Sequence, residues 1–350
     1  MQSEISRLTA ARFGGIVLET EGNPMIETKQ DILDILNMPE EAFARDVLPE
    51  ASRVREAQFS NRIYLNAMLG YTNVCKNQCL YCGMRAGNSA LKRFRIAPED
   101  VIALGRNAAD HGYKRIFLIA GEDPKYGFDG LVRIVKSLKD AGMFVSLACG
   151  EFDRVQYAEL KAAGADEYVL KFEMSNPESF NRMNPSTTFA RRMEAIETIR
   201  SLGLALASGN IIDWPGQTTD ELADDILLMK RLGISWAPVI PFLPALHTPL
   251  FGTHHRGSLA RLYREIAILR LMMPKIRITA QQPGADLRKG LSDPEANDAA
   301  IRAGANLLFY DLLPDPLAVD FRVIDERHIT GPKHAEALSE RFGYEIDTNI

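Results

Sequence analysis

The chain has 350 residues, 46% of them hydrophobic and 25% charged, with a formal net charge of -5. That mixture is ordinary for a globular protein, and a chain of this length buries enough core to fold without disulfides or metals. Both charge signs run along the whole sequence, which argues against nucleic-acid or membrane partners while leaving local anion sites open. The most apolar run, Ile234 to Leu246, is broken by Pro238, Pro241 and Pro244 and is shorter than the ~20 residues of a membrane span. Glu4 near the start, no apolar signal core and only four cysteines, three of them crowded together, lead us to expect a cytoplasmic protein of a reducing compartment.

Residues 1–60 read as an N-terminal helical extension. Thr28 suits the cap of a helix over Lys29–Leu36, and Pro39 opens a second helix reaching about Gln58. Residues 61–310 then alternate. β-rich runs at 62–69, 115–120, 144–148, 167–172, 204–212, 235–240, 277–280 and 306–310 are separated by amphipathic segments. The clearest helices are Pro98–His111 and Thr219–Leu232, the latter with Leu222, Ile226 and Met229 on one face. Gly142, Gly164, Gly203 and Gly233 stand just past helix ends. About eight such units over roughly 250 residues have the rhythm of an α/β (β/α)8 barrel of TIM type, with an open doubly wound sheet as the alternative. Residues 311–350, with Pro314 and Pro316 early, are expected to wrap the barrel. In a barrel the chemistry sits at the C-terminal ends of the strands.

Cys75, Cys79 and Cys82 follow the first expected strand, spaced by three and then two intervening residues. Three thiolates from one loop can converge on a small volume. Three is an odd count for tetrahedral zinc, and the nearest histidine in sequence is His111. An iron–sulfur cube held by three cysteines keeps one iron open for a chelating ligand. A zinc site completed from afar and cysteines buried by chance are the alternatives.

The cysteine spacing, Tyr81 before the third cysteine and the barrel rhythm together resemble the radical S-adenosylmethionine (SAM) superfamily. Over roughly Asn61 to Tyr310 the chain is similar to the branch holding the hydrogenase maturase HydE, methylornithine synthase and biotin synthase. Its half from about 235 to 310 is biotin-synthase-like. The resemblance implies a [4Fe–4S] cluster on Cys75, Cys79 and Cys82, and a SAM bound at its open iron and cleaved to a 5′-deoxyadenosyl radical. It also implies that Gly121, Glu122 and Asp123, after the second strand, receive the amino end of SAM. Glu173, after the fourth strand, would contact SAM, and Arg192 would pair with its carboxylate through a guanidinium fork. Tyr81 belongs to the same SAM set. Arg191 is the alternative to Arg192, and Glu151 is a weaker SAM candidate. Gln217 opens a turn read as mainly structural, with Thr218 or Thr219 capping the next helix.

Cys149 ends the third strand; biotin synthase needs several cysteines on successive strands for a second cluster, so sulfur donation is excluded and a buried apolar role is favoured. His254 and His255 read as a solvated loop. In methylornithine synthase an acidic residue on strand two and an arginine on strand six grip the substrate; those places hold Phe117 and Pro238 here, which speaks against lysine as substrate. Asp213, Gln281 and Gln282 also depart from the relatives in the substrate half of the barrel. The expectation is a radical SAM enzyme acting on a small amino-acid-like substrate with a reductant such as flavodoxin or ferredoxin. Methylornithine synthase itself, a hydrogenase maturation factor and a non-catalytic metal-binding protein are the alternatives.

Overall fold

The computed structural model describes residues 26–325, 327 and 332–349, and the backbone at 11–13 and 16–18. The rest of the expected N-terminal extension before residue 26 lies outside the described residues. Ala11–Phe13 and Ile16–Leu18 pair as a short antiparallel ribbon rather than a helix. Helix α1 (Lys29–Asn37) begins where expected: Thr28 Oγ1 accepts from Asp31 N at 3.2 Å, and the Asp31 carboxylate accepts from Thr28 N at 2.9 Å. The second helix runs to Phe59 but carries a π turn over Phe43–Val47 before α2 (Leu48–Phe59). Buried Arg264 holds this lead-in to the barrel, donating to Ile35 O at 2.7 Å with its guanidinium 4.5 Å from the Phe43 ring centre.

Eight parallel strands form the barrel: β1 (Arg62–Thr72), β2 (Arg115–Ala120), β3 (Phe144–Ala148), β4 (Glu167–Val169), β5 (Ala205–Ala207), β6 (Trp236–Ala237), β7 (Arg277–Ile278) and β8 (Leu307–Asp311). Their hydrogen-bonded order is β7-β6-β5-β4-β3-β2-β1-β8. A Thr279–Leu307 bridge, with Ala280 N donating to Leu307 O at 2.8 Å and Asn306 N to Ile278 O at 3.0 Å, joins the two ends of that order. The runs expected to be continuous at 204–212 and 235–240 each break: Ile211–Ile212 and Ile240–Pro241 pair separately beyond the barrel. Pro238 has no N–H to donate, so the ladder cannot continue through it. Strand β4 likewise ends at Val169, short of the expected 172.

The helices α3 (Pro98–Asp110), α4 (Phe128–Asp140), α5 (Arg154–Ala163), α6 (Pro177–Met183), α7 (Phe189–Ser201), α8 (Thr219–Leu232), α9 (Leu259–Met272) and α10 (Pro294–Arg302) flank this sheet. Helix α8 buries Leu222, Ile226 and Met229, as its periodicity predicts. After β8 the chain continues through α11 (Asp315–Ala318) and α12 (Lys333–Phe342) to β9 (Glu345–Asp347), which pairs with the start of β1.

Alternation along each strand separates two cores. The outer one lies between sheet and helices. Inside, the rings of Phe117, Trp236 and Phe309 meet with centroids 5.1 to 5.5 Å apart, packed with Met68 and Val169. Toward the strand N-termini, fully buried Glu167 accepts from Ser146 at 2.9 Å and Ser235 at 2.6 Å and pairs with Arg277. The barrel centre is therefore filled by side chains, and space for a ligand lies at the C-terminal ends of the strands.

Candidate active site

The three clustered cysteines lie in the long loop between β1 and α3, and main-chain bonds tie that loop to several different elements. Lys76 N donates to Glu122 O at 2.9 Å, Leu80 N to Met183 O at 2.9 Å, Ala245 N to Tyr81 O at 3.0 Å, and Gly83 N to Val323 O at 3.3 Å. Inside the loop, buried Asn73 donates to Lys92 O and Asp320 O and accepts from Phe94 N at 2.8 Å. The Arg93 guanidinium donates to four carbonyls, those of Asn73, Met84, Arg85 and Asn88, at 2.6 to 3.2 Å. Sequence reading missed Arg93, because nothing in its neighbours marks it as the loop's organiser. Hydrogen bonds from a charged group contribute about 1.5–3 kcal/mol each, and no lysine can reproduce the planar fork. Arg93→Met is expected to keep its far-UV circular dichroism while binding less than half the iron of the parent after reconstitution.

Burial pushes all three thiols up, Cys82 to about 12, and the neighbouring thiols and Glu173 push Cys79 and Cys82 further. Neutral thiols in a poorly hydrated spot are what a metal's positive charge converts to thiolates. Among the described residues no group of three or more His, Cys, Asp or Glu side chains converges as a single metal ion requires. Three thiols on one loop, close enough to shift one another, fit an iron–sulfur cluster held by three cysteines.

The turn after β2 braces the same loop. A Cβ on Gly121 would stand 2.1 Å from Val74 O, so only glycine lets β2 approach the loop so closely. Glu122 pairs with Lys76, accepts from Asn77 at 2.9 Å, and rests on Gly150, whose φ of +95° and lack of Cβ make room for it. Burial opposes ionisation of Asp123, but hydrogen bonds from Arg95 (2.6 and 2.9 Å), Lys125 N and Thr72 overcome it and hold its carboxyl below the usual range. Asp123 thus fastens the far end of the cysteine loop to β2. A cavity of about 280 Å3 beside this turn is lined by Tyr71, Lys76, Glu122, Cys149 and Glu151, among others.

Beyond β4, Glu173 has φ +61°, an uncommon conformation for a residue with a side chain. Its backbone is bridged to Asn210, with Glu173 N donating to Gly209 O at 3.1 Å, and its carboxylate pairs with Lys171 at 3.0 Å. Nearby, Arg192 donates to Glu151 Oε1 at 2.6 Å and to Lys171 O, with its guanidinium 5.2 Å from the Phe180 ring centre. Glu151 also accepts from Thr187 at 2.9 Å. Arg191 instead reaches Phe152 O and the exposed Glu194. The Tyr81 hydroxyl donates to Asn184 at 2.8 Å. The structure therefore gathers the cysteine loop, Tyr81, the 121–123 turn, Glu151, Glu173 and Arg192 at the C-terminal ends of β1 to β4.

Of the residues marked for the substrate half, Cys149 lines the 280 Å3 cavity and the others engage separate partners. Phe117 belongs to the interior aromatic cluster, and Pro238 is half-buried where β6 ends. Buried Cys149 shares a hydrogen bond with Tyr71 within the outer core. Asp213, at φ +59°, accepts from Ser258 N at 2.9 Å and pairs with Arg261 at 3.2 Å, fixing the start of α9. Gln217 bonds Asp213 N and Asp225, and Thr218 caps α8. Gln281 engages both backbone groups of Phe309 and the side chain of His334 on α12. Gln282 donates to Val239 O and Thr279 O. None of them lines the largest cavity described, about 800 Å3, which lies between the loop after β6 and the segment after β8.

Comparison with known proteins agrees with this geometry. Residues 69–229 match the model of the radical SAM superfamily. The [FeFe] hydrogenase maturase subunit HydE of Thermotoga maritima is 32% identical over 289 residues, 83% of this chain and 81% of that protein. The 3-methylornithine synthase of Methanosarcina barkeri is 27% identical over 306 residues, 84% and 83% of the two chains. The crystal structure of methylornithine synthase shares the fold, with a TM-score of 0.79 over 91% of this chain and 94% of that one at 24% identity. The protein belongs to the radical SAM superfamily. It is an enzyme of that class, whose members use a [4Fe–4S] cluster and SAM. Among the described residues no helix is long and apolar enough to cross a membrane.

Proposed function

We propose that the chain holds one [4Fe–4S] cluster on Cys75, Cys79 and Cys82 and turns the 5′-deoxyadenosyl radical on a small amino-acid-like substrate. The observation that carries this reading is the set of three half-buried thiols beside the Arg192–Glu151 pair and Glu173, all at one end of the barrel. When bound, the cluster supplies the electron that splits SAM into methionine and the radical. The chain's own residues bind and exclude. The 121–123 turn offers backbone groups and the Glu122 carboxylate to the SAM ammonium. Arg192 offers its fork to the SAM carboxylate, with Glu151 and Phe180 holding the guanidinium in place. The aromatic interior below keeps water away from the radical's path. A flavodoxin or ferredoxin is the reductant this reading implies.

Phe117 and Pro238 disfavour lysine as substrate, because neither can hold an ammonium or a carboxylate. The 32% identity with HydE favours a second reading, in which the substrate is an amino-acid-bound precursor in metal-cofactor assembly. The test is anaerobic: protein reconstituted with iron and sulfide, reduced with dithionite and given SAM, with 5′-deoxyadenosine and amino-acid products followed by mass spectrometry. We expect 5′-deoxyadenosine with no methylornithine from added lysine; methylornithine would overturn the substrate reading. Arg192→Gln is expected to raise the KM for SAM at least tenfold, and an unchanged KM would remove Arg192 from the SAM set.

A further inference from the structure

The 800 Å3 cavity has a chemistry of its own. Asp311 ends β8 and, by strand alternation, faces the same side as Leu307 and Phe309 of the barrel interior. Its buried carboxylate accepts from Leu313 N at 3.0 Å and pairs with Arg327 at 2.7 Å. Arg327 is itself only 10% exposed, stands over the Phe321 ring at 4.9 Å and approaches the Met68 sulfur at 3.7 Å. On the adjoining wall Asp325 accepts from Leu246 N at 2.6 Å through one oxygen, while its other oxygen is buried and has no hydrogen-bond partner among the described residues. A buried carboxylate oxygen without a donor is costly and is where a ligand cation is best received.

The walls also carry the apolar Leu243, Pro244 and Ile324, and the rim carries His254, Arg256, Asp315 and Arg322. Leu246, Phe251, Leu287 and Val319 line it too, and they are four of the five exposed large hydrophobic residues described. Such clustering at one mouth is not the scatter of a plain surface. The volume matches pockets that take drug-sized ligands of roughly 300–1,000 Å3, which is larger than a bare amino acid requires.

We infer that this cavity is the substrate subsite, and that it takes an α-amino acid carrying a bulky apolar substituent. The ammonium meets the open oxygen of Asp325, the carboxylate meets Arg327 beside Asp311, and the substituent lies along the apolar walls. Free lysine fits less well, since it has no bulky apolar substituent to cover those walls. This rests on the amino-acid reading above and deepens it.

The test is calorimetric titration of the anaerobically reconstituted protein with O-benzyl-L-tyrosine, its N-acetyl derivative, its methyl ester and L-lysine. We expect O-benzyl-L-tyrosine to bind at least tenfold more tightly than the other three. Asp325→Asn should weaken O-benzyl-L-tyrosine about tenfold and leave the N-acetyl compound unchanged; Arg327→Gln should weaken it similarly and leave the methyl ester unchanged. Equal binding of all four compounds by the parent protein, or binding of none, overturns the subsite whether or not the variants fold. Failure of the parent to make 5′-deoxyadenosine would count against the radical reading instead, and the titration would still decide the cavity.

Discussion

Cys79→Ala is expected to yield a folded barrel that assembles no [4Fe–4S] cluster and forms no 5′-deoxyadenosine. The loop around Cys79 is held by bonds that do not involve its thiol: Leu80 N to Met183 O, Gln78 N to Ser186 Oγ, and the four carbonyls on Arg93. Removing one sulfur atom therefore leaves the loop's framework in place, and a half-buried thiol exchanged for a methyl group is a small change in packing. The loss falls on metal binding, because a cube with three protein corners cannot spare one of them. Iron and acid-labile sulfide analysis beside circular dichroism checks this directly. A folded variant that retains full iron content and SAM cleavage would show that Cys79 is not a ligand.

The second large effect is expected from a residue that touches no metal. Gly121→Ala would bring a methyl carbon to 2.1 Å from Val74 O, 2.7 Å from the Val74 carbonyl carbon and 2.9 Å from Cys75 Cβ. Two of these neighbours are backbone atoms and the third is a Cβ fixed by its backbone, so no rotamer change can relieve the clash. Gly121 N also donates to Thr72 O at 2.9 Å, and Lys76 N to Glu122 O, so β2 and the cysteine loop are stitched on both sides of the contact. The strain, typically about 1–3 kcal/mol for overpacking, has to be released by moving Val74 and Cys75 outward. We expect Gly121→Ala to lower the melting temperature and to retain less than a tenth of the parent's cluster with all three cysteines intact. Gly130→Ala provides the contrast: its added carbon meets the Pro98 ring at 3.0 Å, on a helix outside the loop, and cluster content should be near that of the parent. Full cluster assembly in Gly121→Ala would mean that this close approach does not set the position of the loop.

Both expectations rest on features of different visibility. The cysteine triplet, the turn after β2, the capping of α1 and α8 and the recurrence of strand, helix and glycine are patterns among near neighbours along the chain, so they are legible in the order of the residues. Periodicity likewise marked the buried face of α8, because a helix repeats its contacts every turn.

What the tertiary structure alone decided is where each polar side chain spends its hydrogen bonds. The pairing of Arg192, and not Arg191, with Glu151 joins residues 41 positions apart. Asp213 turns to Ser258 and Arg261, and Gln281 engages Phe309 and reaches helix α12, because those partners arrive from later units of the barrel. The breaks in β5 and β6, the organising role of Arg93 and the meeting of Asp311, Arg327 and Asp325 around one cavity were equally out of reach. The sequence by itself determined the class of chemistry and the repeating architecture, since both are written in short spacings. Closure of the ring selected the pocket, because its walls come from segments that only the closed barrel brings together.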